Sequence, residues 1–398
     1  MNLLDISINI LLLIIAFNLK HIFNEFDNKD KKTLNLLLVY HIAISIFFHF
    51  YILSSGGDAI HYWEVPNQWE FSKILNLALA PSGTGMIYLF NYIPAKVLQL
   101  SFFTGNMIYS LFGFIGFIYL FKLIKINFDN YEQLRTIKIF KIPLIPLIWF
   151  LPNFHFWTSG IGKDALLFTA IILIIYAIRN FQKRFLILSF ASLIILAVRP
   201  HIFLFLIMAF SISFIFDGRI KAYQKTILFL ILLGVIIAIL PFVMNFIQLD
   251  SFETEAIEQY ATNKSSSLSK ARTSSGIDTT NYPFPLKFFT FLYRPLFFDI
   301  NGVLAILSSF ENLLLLVLTV FAFLKKPFRV FKNIHFTIKA GFLFFLIGSV
   351  AFSLILGNLG IMLRQKNMLM PWLVLFCLSI LYSFNKSTAS NETINNHQ

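Results

Sequence analysis

The chain has one cysteine, Cys377, in 398 residues. No intramolecular disulfide can form, which excludes the small cystine-stapled scaffolds. Charge is scarce too: Asp, Glu, Lys and Arg make up 13% of the residues, against roughly 25% in a soluble domain. Acidic residues are the rarer sign, 19 against 32 Lys and Arg, for a net charge of +13. No lysine or arginine precedes the first apolar core, "MNLLDISINILLLIIAF", and no small-residue cleavage site follows it. That segment is expected to be a retained membrane helix rather than a signal peptide. No internal repeat is visible, unlike the inverted repeats of many secondary transporters.

What the sequence has instead is apolar length. Hydrophobic residues form 58% of the chain and the mean hydropathy is +0.76. The blocks run without strand-like alternation, which excludes a β-barrel and predicts an all-α polytopic membrane protein. Hydropathy places about 11 spans near 3–23, 34–53, 105–124, 139–157, 164–180, 185–199, 201–216, 226–247, 303–324, 338–356 and 368–384. The stretch 86–103 carries Asn91, Pro94, Lys96 and Gln99, and is expected to be interfacial or re-entrant. Residues 1–384 then form one transmembrane domain, with external loops 54–85 and 248–286. The polar end, 385–398, is expected to be a disordered cytoplasmic tail.

The basic charge has a topological use. Loops 20–33, 122–141, 179–184, 217–225 and 325–339, together with the tail, hold 21 of the 32 Lys and Arg but 7 of the 19 acidic residues. The positive-inside rule puts that side in the cytoplasm, with the N-terminus outside and the C-terminus inside. This accounts for the +13 without nucleic acid; the lipid bilayer is the expected partner, and no protein partner is indicated.

With that orientation the unusual polar clusters fall outside: 54–64, 159–164, 198–201, 293–299 and 363–368. Ionisable groups beside apolar spans are expensive to desolvate and mark functional candidates. Gly162-Lys163 invites a phosphate-loop reading, but that motif needs glycine where Trp157 stands and Ser or Thr where Asp164 stands. The nucleotide reading fails. Ser159 or Asp164 can cap the following helix. A cation at a helix N-terminus opposes the macrodipole, so Lys163 is better explained by an anion there, with Gly160 and Gly162 admitting its close approach. Arg199, followed by Pro200 and His201, suits a bidentate grip on phosphate. Arg294, Arg364 and Lys366 occupy similar span edges, so these cations could converge on one pyrophosphate.

Asp58 follows two glycines in the first external loop and could take a proton from an attacking hydroxyl, with His61 as the alternative base. Tyr62, Trp63 and Glu64 lie close behind. Asp299 and Glu311 are further carboxylates near the 303–324 span, Glu311 about two turns inside it, to be paired with an arginine or with Asn312 and nearby serines. No metal-ligand spacing such as H-x-x-x-H or D-x-D is present, so no cofactor is predicted, although a divalent metal remains open.

The order of these elements resembles a family. "GGDAIHYW", "FWTSGIGKDALLF", "AVRPHIFLFL", "YRPLFFD" with "SSFENLLLL", and "GNLGIMLRQKNMLMPWLVL" follow one another over residues 34–384. The layout is similar to bacterial polysaccharide polymerases of the O-antigen and exopolysaccharide type, and more loosely to polytopic GT-C glycosyltransferases. The resemblance implies a GT-C-like architecture in the bacterial inner membrane and glycosyl transfer from a polyprenyl-pyrophosphate-linked glycan at its external face. It implies that Asp58 is the catalytic carboxylate and that Arg199, Arg294 and Arg364 hold the pyrophosphate. The paired acidic residues common in the first GT-C loop are missing, and loop 248–286 has only Arg272 where O-antigen polymerases are often arginine-rich. A transporter or flippase for a lipid-linked or anionic solute would want polar groups at both faces and at mid-membrane depth. A non-catalytic subunit of an envelope export machine would tolerate alanine at Asp58, Lys163 and Arg199.

Overall fold

Asn2 starts the first helix with a reciprocal cap: its side chain accepts from Asp5 N–H while the Asp5 carboxylate accepts from Asn2 N–H. Asp27 and Asp30 do the same for the second helix. From these starts the computed structural model describes residues 2–80, 83–217, 221–247, 254–269, 275–279, 281–300 and 302–395. It is 81% helical. Among the described residues six helices are long and apolar enough to cross a membrane: Leu3–Ile22, Asn28–Ser55, Phe102–Asn127, Ala222–Phe246, Val303–Phe323 and Phe336–Ile355. Leu359–Lys366 and Met370–Lys386, bent by 59° at their junction, add a seventh if they form one broken span. The protein is thus nearly all helical, as a helical membrane protein is, with six or seven candidate crossings among the described residues.

That is fewer than eleven, for local reasons. Lys163–Ile178, Phe185–Val198 and Pro200–Ile215 have 16, 14 and 16 residues. At 1.5 Å per residue they rise about 21–24 Å, short of a hydrocarbon core of about 30 Å. Residues 139–157 form no single helix. Lys138–Ile139 and Ile142–Pro143 make a small antiparallel hairpin whose turn residues, Phe140 and Lys141, both have positive φ. Pro146 and Pro152 divide the rest of this stretch into short turns, Leu144–Leu147, Ile148–Phe150 and Pro152–Phe156.

The polar segment 248–286 is not all loop. Thr254–Ser269 is a helix that packs on Phe336–Ile355. Beyond it, Gly276 forms a bridge with Asn358, and Ser275 Oγ donates to Asn358 Oδ1 at 3.0 Å. Parts of this segment, including Arg272, lie outside the described residues. The tail expected to be disordered continues the last helix, Met370–Asn395, since no Gly or Pro interrupts it after Pro371; residues 396–398 lie outside the described residues.

The chain forms two compact units. The first comprises Met1–Leu123, Pro152–Phe203 and Asn245–Ile247. Its centre is the Lys163–Ile178 helix, in which every residue from Asp164 to Ala177 is buried, as expected of a helix that is apolar all round. It packs on Phe185–Val198, which in turn meets Gly83–Asn91. Polar pins matter in such a setting, because lipid supplies no hydrophobic drive between helices. Asp5 Oδ1 accepts from Ser101 N–H, Ser101 Oγ and Thr104 Oγ1 at 2.6–2.9 Å, tying the first helix to the start of Phe102–Asn127. His41 and His155 bring their Nδ1 atoms to 2.8 Å, and His41 Nε2 reaches Ser110 O at 3.0 Å.

The second unit comprises Ile124–Leu151, Leu204–Met244 and Gln248–Gln398. Phe336–Ile355 and Val303–Phe323 both pack on Met370–Asn395, and Phe284–Tyr293 packs on Phe336–Ile355. The Phe342 and Phe376 rings stack at 3.9 Å.

Candidate functional site

In the first unit, Gly56 and Gly57, at φ 76° and 146°, end the second helix and release the chain into Asp58–Gln68. Such φ values favour glycine because a Cβ would clash. Asp58 is therefore the first residue of a helix rather than part of an open loop. Asp58 and His61 lie three residues apart and share the exposed face, while Tyr62 and Trp63 are buried. The Tyr88 phenol is held above its ordinary pKa, mainly by burial and further by the Asp58 charge. Its ring lies 6.1 Å from that of Tyr62.

Lys163 opens its helix after Gly162, and no side chain caps that start. Ser159 is not the cap, since its hydroxyl donates back to Phe156 O at 3.2 Å and its carbonyl accepts from Ser45 Oγ at 2.7 Å. Asp164 is the second residue of the helix and faces Arg199 instead, with Oδ1 to Nη2 at 3.6 Å. Both side chains are nearly buried. Lys163 Nζ donates to Thr84 Oγ1 at 3.0 Å and lies 5.9 Å from the Tyr62 ring centroid. His201 is the second residue of the Pro200–Ile215 helix, two positions after Arg199.

Gly160 has a different purpose from the one expected. A Cβ there would sit 2.0 Å from the Phe48 ring, so its small size admits Phe48 rather than a ligand. Asn106 Oδ1 holds the same turn by accepting from Ile161 N–H at 3.0 Å. Gly160→Ala is expected to cost about 1–3 kcal/mol through overpacking. Thermal unfolding should show Gly160→Ala costing less in a Phe48→Ala background than in the parent.

The first unit thus gathers Tyr62, Lys163, Asp164, Arg199 and His201, drawn from distant parts of the sequence, with Asp58 linked through Tyr88. Thr84 and Tyr88 were not legible as members. They lie in "GTGMIYLFNY", where hydropathy gives no clear reading, and the one local signal is Gly83. A Cβ on Gly83 would fall 2.1 Å from Val198 O, so only glycine lets Thr84 approach the Arg199 turn.

In the second unit Arg294 forms a two-pronged pair with Asp299: Nε donates to Oδ2 at 3.0 Å and Nη2 to Oδ1 at 2.5 Å. Leu296 N–H also donates to Asp299 Oδ2, at 2.9 Å. The hydrogen bond from Arg294 to Asp299 raises the arginine pKa further, with Tyr282 contributing. Burial pushes the Asp299 carboxyl up, but the Arg294 and Leu296 bonds outweigh it and hold the group below its ordinary value.

Lys366 is 1% exposed. Its ammonium donates to Leu292 O and Arg294 O at 3.1 Å each and to Asn312 Oδ1 at 2.7 Å. Asn312 Nδ2 donates to Pro295 O at 2.8 Å, and the buried Glu311 charge acts on the same lysine. The phosphate role expected of Lys366 does not fit, because an ammonium has three N–H groups and protein oxygens take all three. Arg364, on the Leu359–Lys366 helix, is half-buried.

Among the described residues, no group of three or more His, Cys, Asp and Glu side chains is placed to hold a metal ion. What the first unit places together is a lysine at a helix N-terminus, an arginine, a carboxylate, a hydroxyl and aromatic faces, groups of the kind that can hold an anion. Comparison with family models, with curated proteins and with solved structures returned no match.

Proposed function

We propose that the protein is a membrane glycosyltransferase or polymerase acting on polyprenyl-pyrophosphate-linked glycans in surface polysaccharide synthesis. The observation that carries this reading is the cluster in the first unit: Lys163 donates to Thr84, Gly83 presses that helix against the turn before Arg199, and Tyr88 on the same helix feels the Asp58 charge. In the proposed reaction Asp58 accepts the proton of an acceptor sugar hydroxyl as its oxygen bonds to the anomeric carbon. The bond from that carbon to the pyrophosphate oxygen breaks, and Lys163 and Arg199 stabilise the charge on the leaving lipid pyrophosphate. The reading includes a site facing the outside of a bacterial inner membrane, the side opposite the basic loops. Its eleven-crossing layout requires the 14–16-residue helices and the broken stretch 139–157 to cross as well.

The test is the surface glycan made by cells carrying Asp58→Asn or Lys163→Ala. Acid–base and electrostatic groups of this kind contribute about 10²–10⁴ in rate, so polymer should fall to a trace while the variants insert normally. Unchanged chain length and amount in both would end the glycosyltransferase reading.

One observation favours a second reading, a transporter of a lipid-linked or anionic solute. The last crossing is broken by 59° next to buried Lys366, with Glu311 on the facing span, and interrupted helices with buried charges are typical of transport sites. That reading predicts lipid-linked precursor accumulating on the cytoplasmic leaflet when Glu311 is changed to Gln.

A further inference from the structure

The connection from Asn28–Ser55 to Phe102–Asn127 carries an apolar face that no described residue of its own unit covers. Its helices are Asp58–Gln68, Phe71–Leu79 and Gly83–Asn91, the last continued by a π-helical turn, Tyr92–Val97. Even that longest run reaches only about 20 Å, short of the roughly 30 Å core. Both ends of the connection therefore belong at the same face of the membrane, since the helices on either side of it are candidate spans.

One side of this run is fixed to the unit. Asn91 Nδ2 donates to Tyr62 O at 2.9 Å, Asn91 Oδ1 accepts from Tyr109 OH at 3.0 Å, and Ala95 is buried. The other side presents Phe90, Ile93 and Val97, which are 40%, 61% and 61% exposed. Their spacing of three and four residues puts them on one stripe. Beside the stripe, Phe71 packs on Tyr92 at 5.1 Å between ring centroids. The polar edge is built from amphipathic groups: Lys96 donates to Trp69 O at 2.5 Å, and Lys73 Nζ sits 3.8 Å from the Trp69 ring centroid. Tryptophan, tyrosine and lysine beside an apolar stripe are the composition of a membrane–water boundary.

We infer that residues 71–80 and 83–98 form an interfacial platform, with the Phe90–Ile93–Val97 stripe seated in the lipid just below the headgroups. The occupant is the bilayer itself, because the stripe is continuous in the chain with two spans already in it. The platform also sets the depth of the anion cluster, since Thr84 and Tyr88 are on the same helix. The inference holds whether or not the chain transfers sugars.

The experiment uses the full-length chain in phosphatidylethanolamine–phosphatidylglycerol vesicles. Cys377 is fully buried, so the parent chain should take up no thiol probe. Ile93→Cys, Val97→Cys and, as a water-facing control, Gln68→Cys are labelled with an environment-sensitive fluorophore. The expected result at 93 and 97 is a blue-shifted emission that loses intensity to lipids brominated high on the acyl chain. Those probes should lose less to deeply brominated lipids and least to aqueous iodide, with Gln68 showing the reverse. Three outcomes would overturn the platform: iodide quenching equal to that at Gln68, strongest loss with the deep bromines, or protection from every quencher, which would mean a protein partner covers the stripe.

Discussion

Arg199→Ala is expected to destabilise the protein and to abolish glycan synthesis, and the two losses should be separable. Arg199 and Asp164 face each other at 3.6 Å with side chains 11% and 6% exposed. Removing one partner of a buried ion pair typically costs about 3–5 kcal/mol, because the remaining charge keeps its burial and loses its counter-charge. Thermal unfolding of the purified variant should therefore begin well below that of the parent. Asp164→Asn combined with Arg199→Met removes both charges and should recover most of the stability. It should not recover synthesis, because the cation proposed to meet the pyrophosphate is still missing. If the double variant regains both stability and polymer, Arg199 is only the counter-ion of Asp164 and the phosphate role falls. Lys163→Ala supplies the contrast. This side chain is half-buried and is not half of the buried Arg199–Asp164 pair, so the fold should lose less than in Arg199→Ala, about 1–2 kcal/mol, while synthesis is lost.

Lys366→Ala is expected to have the largest effect on folding. The ammonium satisfies two backbone carbonyls and the Asn312 side chain in a place closed to water, and faces the Glu311 charge. Each buried acceptor left unsatisfied costs about 1–3 kcal/mol, so the loss should reach the order of 4 kcal/mol or more. Lys366→Met should unfold at a higher temperature than Lys366→Ala, since the methionine refills most of the buried volume that alanine leaves empty. A Lys366→Ala protein with the parent's unfolding temperature would refute the structural assignment. It would return the lysine to the ligand-binding candidates.

The structure separates residues that share a pattern in the sequence. Lys163, Arg199, Arg294, Arg364 and Lys366 all look like cations at span edges, and spacing cannot tell them apart. The structure gives Arg294 a carboxylate five residues away and gives Lys366 three oxygens, two of them backbone. Backbone carbonyls have no signature in a sequence, so the satisfaction of Lys366 was invisible there. Gly160 misleads in the same way: glycine permits both a ligand and a packed ring, and only the position of Phe48 decides. His41 and His155 are 114 positions apart, and nothing local relates them.

Composition and the length of the apolar runs determined that this chain is a predominantly helical membrane protein, because segments that enter lipid must satisfy their backbone internally and long unbroken apolar runs do so as helices. They also determined the bias of basic residues and the few polar positions at span ends. Tertiary structure decided how many helices are long enough to cross, since chain breaks at Gly, Pro and capping residues are invisible to averaged hydropathy. It decided as well which polar positions meet. Lys163 reaches Thr84 and stands near Arg199 only because Gly83 lets one helix press against the end of another, a close approach that depends on packing rather than on any local run of residues.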